Sequence, residues 1–128
     1  MNLLLDTHLL VWTATRPERL SAQARTHLSE PTNTLFFSAV SIWEIGIKRR
    51  LDRLDFQLDP HRLRDQLLMN DYRELDFTSR HGIAVQELPL LHRDPFDRAL
   101  IAQARCEGLM LMTADSDISR YGQPILEV

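Results

Sequence analysis

The run Leu3-Leu4-Leu5, closed by Asp6, constrains this chain more than any other feature. Successive side chains of a strand point to opposite faces, so three leucines in a row leave no face for water. Such a strand is covered on both sides, as happens in parallel sheets whose crossover helices lie on both faces. Residues 109–112 read the same way, and residues 34–37, 72–77 and 124–128 supply three further short strands. Amphipathic stretches fall between them. Residues 21–30 predict a helix N-capped by Ser21, followed by helices over 39–50 and over 60–70, with Pro60 in a first turn. Thr78 begins another, ending near Glu87. Asp94-Pro95 opens the strongest, which runs to Glu107 with Gly108 as its C-cap. Strands alternating with helices imply right-handed crossovers and an α/β fold, a mostly parallel sheet flanked by helices. Residues 51–59 are the expected flexible loop, and residues 87–93 the next.

The length, 128 residues, fits one domain spanning 1–128, in which roughly two-thirds of the unfolded chain's surface is buried. The lone cysteine, Cys106, forms no internal disulfide and suits a reducing compartment, so a soluble, cytoplasmic protein is expected. No apolar run approaches the ~20 residues of a spanning helix, and no cationic leader with a cleavage site opens the chain. A net charge of −3 argues against nucleic acid as a partner, but the distribution weakens that objection. Fourteen of the fifteen basic residues are arginine, whose planar fork suits phosphate, and Lys48, Arg49, Arg50 and Arg53 cluster. Genomic base composition produces the same arginine bias, so net charge decides little.

The acids decide more. Ligands of open parallel sheets bind beyond the carboxyl ends of the strands. Asp6 ends the first strand and Asp115 follows the fourth, so two acids leave the sheet at one edge. Either alone is explained as a helix cap. Glu44 shares a helical stripe with Val40, Ile47 and Leu51, where an unpaired carboxylate is costly and a cation would remove the cost. The alternative is a capping box from Ser41 to Glu44, which requires the helix to begin after Ser41 rather than after Ser38. The earlier start wastes less of the apolar face and is preferred. Asp97 sits in a first turn after the N-cap Asp94, yet its helical neighbours Ile101 and Ala104 are apolar, so it too faces inward.

Four carboxylates in one cleft repel unless a cation lies among them, and oxygen ligands favour Mg²⁺ or Mn²⁺ over zinc. Histidines 8, 27, 61, 81 and 92 are scattered and read as surface or loop residues, with His8 the nearest to the pocket. The four glycines are too dispersed for a phosphate-binding loop. A carboxylate-held magnesium site handles phosphates, and a polymeric substrate read through its backbone fits better than a nucleotide.

Four segments together resemble the PIN-domain ribonuclease toxins of VapC type, in order and spacing across nearly the whole chain. They are Leu4-Leu5-Asp6-Thr-His-Leu-Leu-Val-Trp12, Ser38-Ala-Val-Ser-Ile-Trp-Glu44-Ile-Gly-Ile-Lys48, His92-Arg-Asp-Pro-Phe-Asp97-Arg-Ala-Leu-Ile-Ala-Gln-Ala104 and Leu111-Met-Thr-Ala-Asp115. The resemblance implies a PIN-like three-layer sandwich and an Mg²⁺- or Mn²⁺-dependent endoribonuclease. It carries catalytic and metal-binding roles onto Asp6, Glu44, Asp97 and Asp115, with Asp117 as the alternative fourth acid. Thr113 is expected to orient a carboxylate or water, and Arg98 to contact phosphate or pair with Asp94. The resemblance also implies an RNA substrate, a homodimer, and a VapB-type antitoxin whose arginine enters the acids. Leu9, Leu10, Val11, Trp12, Ile42 and Trp43 are then either the groove that receives the antitoxin or ordinary core. Two rival classes remain: a silent acidic pocket that binds a basic peptide, and a phosphoacceptor domain, for which Lys48 lies on the wrong segment. A DNA nuclease shares the same pocket chemistry.

Overall fold

A computed structural model describes residues 1–128. Five strands, β1 (Asn2–Leu5), β2 (Thr34–Ser38), β3 (Arg73–Leu75), β4 (Met110–Thr113) and β5 (Ile125–Glu127), form one sheet in the order β3-β2-β1-β4-β5. Every pairing is parallel. β1 is central: Leu4 lies between Phe36 of β2 and Leu111 of β4. Its three leucines are fully buried, and their alternation divides the core in two. Leu3 and Leu5 enter one cluster with Phe37, Ile45, Phe56 and Met112, while Leu4 joins the other with Leu100, Ile101 and Leu111.

The helices α1 (Thr7–Thr15), α2 (Ala22–Ser29), α3 (Ala39–Arg50) and α4 (Pro60–Met69) contribute to the first cluster. Helices α5 (Ser79–Gln86), α6 (Pro95–Glu107) and α7 (Ser116–Ser119) lie with the second, giving three layers. The expected caps are in place. Ser21 accepts from the Ala24 N–H, Ser38 from Val40, Thr78 from His81, and Asp94 from Phe96 and Asp97. Gly108 closes α6 with φ of 68°, the left-handed conformation that glycine adopts without a Cβ penalty.

Three expectations are corrected. The third strand spans only Arg73–Leu75: it is an edge strand paired with β2 alone, and β2 ends at Ser38, opposite Leu75, so Asp76 and Phe77 have no strand to continue against. Residues 51–59 are no slack loop: a 3₁₀ turn at Leu54–Phe56 plants the Phe56 ring, fully buried, in the core. His81, read as a surface residue, is 2% exposed. Its Nδ1 accepts from the Thr78 N–H at 3.0 Å and its Nε2 lies 3.1 Å from Glu107, so it completes a capping box in place of the usual Glu or Gln. No helix is long and apolar enough to cross a membrane.

Burial separates two leucines cleanly. Leu100→Ala is expected to destabilise the protein by about 2–5 kcal/mol in urea titration. Leu54→Ala, at a site 88% exposed, is expected to change stability by less than about 0.5 kcal/mol.

Candidate active site

The carboxyl edge of the sheet gathers the acids. Asp6 leaves β1 with its N–H bonded to the Met112 carbonyl at 3.0 Å, which keeps it in sheet register for one residue past the strand. It is 2% exposed. Its Oδ1 accepts from the Leu9 N–H at 2.8 Å, capping α1, and its Oδ2 accepts from the Thr113 hydroxyl at the end of β4. Burial pushes the Asp6 carboxyl above the usual carboxylate range, and those two hydrogen bonds oppose the rise. Thr113 is fully buried, and its hydroxyl also accepts from the Asp115 N–H at 3.0 Å. One hydroxyl therefore fixes the spacing of two acids and positions Asp6. It does not itself reach solvent, and it bears on the pocket through Asp6 and the Asp115 backbone.

Glu44 arrives on α3. That helix begins at Ala39, and Ser41 lies inside it, its Oγ accepting from the Thr7 hydroxyl at 2.9 Å, so the capping-box alternative fails. Glu44 is 1% exposed. Lys48, one turn on, sets its Nζ 2.5 Å from Glu44 Oε2, while Oε1 is buried with no hydrogen-bond partner. Burying such an atom unsatisfied costs about 1–3 kcal/mol.

Asp97 comes from the first turn of α6, and Asp94 holds its N–H at 3.0 Å. Burial raises the Asp97 carboxyl to about 6 against a hydrogen bond from His92, with Asp94, Glu44 and Asp6 raising it further through their charge. His92 Nε2 lies 2.8 Å from Asp97 Oδ2. Asp115 caps α7 by accepting from the Asp117 N–H at 2.8 Å. Donor atoms of His92, Asp97 and Asp115 lie within 4.8 Å of one another. Asp117 is exposed and outside that group. The structure thus brings Asp97 together with Asp115 and His92, while Asp6 and Glu44 lie outside that group and act on Asp97 through their charge.

Other expected residues go elsewhere. The Arg98 guanidinium donates to the carbonyls of Val85 at 3.1 Å and Pro89 at 3.0 Å and to the Tyr121 hydroxyl at 2.9 Å. It fastens residues 85–92 to α6 and is spent there, so it neither pairs with Asp94 nor faces the acids. Leu9, Leu10 and Val11 are core, whereas Trp12 and Ile42 are partly buried and Trp43 is 64% exposed. His8 packs beside Phe56, 3.7 Å from Asp55. His92 is the residue that the sequence reading missed. Its signal was its place five residues before Asp97, in the segment that opens α6.

The clustered donors are two carboxylates and one imidazole, and Glu44 adds a buried oxygen without a hydrogen-bond partner. That donor set fits Mg²⁺ or Mn²⁺. An open parallel α/β sheet carrying a carboxylate pocket at its carboxyl edge defines the class. A family model described as the PIN domain matches residues 3–124. The chain belongs to the PIN-domain family.

Solved structures share the fold. VapBC2 from Rickettsia felis, bound to a DNA fragment from its promoter, is 20% identical over 99% of this chain and 98% of that chain, with a TM-score of 0.72. VapC20 from Mycobacterium tuberculosis, a sarcin-ricin loop cleaving toxin, is 20% identical over 98% of both chains, with a TM-score of 0.66. VapBC-1 from nontypeable Haemophilus influenzae is 15% identical over 100% of this chain and 97% of that chain, with a TM-score of 0.67. No curated protein matches.

The raised Asp97 pKa has a stability consequence. The folded protein holds that proton to about pH 6, whereas the unfolded chain releases it near 3.8, so stability falls as pH rises across that window. Asp97→Asn is expected to stabilise metal-free protein at pH 7.5 by about 2–3 kcal/mol. The gain should shrink towards nothing at pH 4, as read by thermal denaturation in EDTA.

Proposed function

We propose that the protein is a metal-dependent endoribonuclease, a single domain over residues 1–128, acting as the VapC-type toxin of a toxin–antitoxin pair in the cytoplasm. The observation that carries this reading is the meeting of Asp97, Asp115 and His92 beyond the strand ends, with Asp6 and Glu44 acting on Asp97 through their charge and a buried Glu44 oxygen left unpaired. Membership of the PIN-domain family supports it. So does the shared fold with VapC20, a sarcin-ricin loop cleaving toxin.

Asp6, Glu44, Asp97 and Asp115 would hold Mg²⁺ or Mn²⁺, with His92 beside them. Bound there, a divalent ion would neutralise the acids and acidify a water for attack on phosphorus. The chain's own residues do the placing. Leu9 and Thr113 between them hold both oxygens of Asp6, so that carboxylate is presented in one orientation. His92 engages Asp97 Oδ2 and leaves Oδ1 without a hydrogen bond. Oδ1 is therefore the Asp97 oxygen that would face the ion. Burial of the acids keeps bulk water from screening them, which strengthens every charge interaction in the pocket.

A VapB-type antitoxin segment is the proposed inhibitor, and a homodimer the proposed assembly. An antitoxin guanidinium would pair with the acids and block RNA. The exposed Trp43 ring, edge-on to Phe96 at 5.3 Å, flanks a cleft of about 460 Å³ lined by Val40, Phe77, Val85 and Ala99, which offers an apolar partner segment a seat.

Cleavage of tRNA, rRNA and mRNA fragments in Mn²⁺ is expected, with abolition by EDTA and in Asp6→Asn and Asp97→Asn protein. Unimpaired cleavage by Asp97→Asn, or preference for DNA over all three RNAs, would overturn the assignment. Thr113→Val, which removes only a hydroxyl behind Asp6, is expected to weaken Mn²⁺ affinity by roughly 10–100-fold while the fold is kept.

A further inference from the structure

The chain contains one lysine among fifteen basic residues, and that lysine lies in the acid pocket. Lys48 is the only lysine or arginine whose side chain contacts Asp6, Glu44, Asp97 or Asp115; the imidazole of His92 touches Asp97. Its side chain is 15% exposed. Its ammonium touches Glu44 Oε2 alone and leaves Oε1 bare. It also stands 4.8 Å from the Phe56 ring centre and 5.9 Å from that of Phe96, the residue before Asp97.

The choice of lysine has chemical content. An arginine fork binds a carboxylate through both oxygens, whereas an ammonium is a point charge on a flexible four-carbon stem. Lysine therefore half-satisfies Glu44 and can leave it. The two rings give the displaced ammonium a cation–π surface, worth about 0.5–2 kcal/mol, on which to rest. Phe56 is fixed by full burial, so that surface is rigid.

We propose that Lys48 is a tethered counter-cation of the acid pocket: it neutralises Glu44 in the metal-free protein and competes with the divalent ion for that carboxylate, thereby setting how much metal the site needs. This rests on the metal-dependent reading above. Lys48 is a positioning residue, acting through Glu44. The pocket is kept from being a naked cluster of four acids before metal arrives, and metal affinity is lowered as the consequence.

The test compares wild type with Lys48→Met, Lys48→Gln and Lys48→Arg, each as the full chain, by calorimetric titration with Mn²⁺ and by thermal denaturation in EDTA. Lys48→Met is expected to bind Mn²⁺ roughly tenfold more tightly, within the usual 5–150-fold span of coupling between two ligands. Its metal-free form is expected to melt at a lower temperature. Lys48→Arg keeps the charge and is expected to keep wild-type affinity or weaken it. In a Glu44→Gln background, Lys48→Met should leave Mn²⁺ affinity unchanged. Lys48→Gln, which retains a hydrogen bond to Glu44, stands in if the methionine variant does not fold. Equal or weaker Mn²⁺ binding by the neutral variants would overturn the proposal, as would absence of Mn²⁺ binding in every variant. Neither readout needs RNA. Tighter Mn²⁺ binding without RNA cleavage by wild type keeps the counter-cation and removes the nuclease. Unchanged binding with intact cleavage does the reverse.

Discussion

The burial of Asp6 at the end of the central strand is the constraint on which the rest of the structure turns. β1 pairs with β2 on one side and β4 on the other, so whatever follows Leu5 emerges between the ends of both neighbours. Asp6 is the first such residue. Its neighbours are fixed by register: Thr113 ends β4, and Ser38 ends β2 and caps the helix that carries Glu44. Ser38 is itself bonded to Gln103 of α6 at 2.6 Å, which ties the Glu44 helix to the Asp97 helix beneath the pocket. Moving β1 against β4 by a residue would send Asp6 and Thr113 to different levels and break their bond.

A carboxylate in such a place lowers stability unless something answers its charge. The chain answers only in part. Leu9 and Thr113 satisfy Asp6, Lys48 satisfies half of Glu44, and His92 one side of Asp97. What stays unmet, the Glu44 oxygen and the raised Asp97 carboxyl, is concentrated at one point, while the two apolar layers on either side of the sheet are complete. Stability withheld at one place and supplied elsewhere is how functional sites are usually built.

The parts legible in the sequence are those governed by short-range rules. Leu3-Leu4-Leu5 announced a strand buried on both faces, and Ser38, Asp94 and Gly108 marked helix ends through local hydrogen bonding and backbone freedom. Glu44 betrayed itself by interrupting an apolar stripe. What escaped depends on partners distant in the chain. Phe56 sits in a polar stretch whose charges signal a loop, and only packing against Ile45 and Leu63 buries it. His81 is held by Glu107, twenty-six residues on, and Arg98 by the carbonyls of Val85 at the end of α5 and Pro89 in the loop after it. Lys48 looked like part of a basic surface run because Arg49 and Arg50 follow it, yet a helix turns 100° per residue and only Lys48 faces Glu44.

Whether these acids jointly hold a divalent ion is tested most directly by adding substoichiometric Mn²⁺ to isotope-labelled protein and following paramagnetic broadening of the backbone amides. Broadening should begin at Asp6, Glu44, Asp97 and Asp115 together and reach the amino ends of the strands, around Asn33 and Gly108, last. Broadening that starts elsewhere, or that spares any of Asp6, Glu44 and Asp97 while reaching the others, would contradict a single shared site.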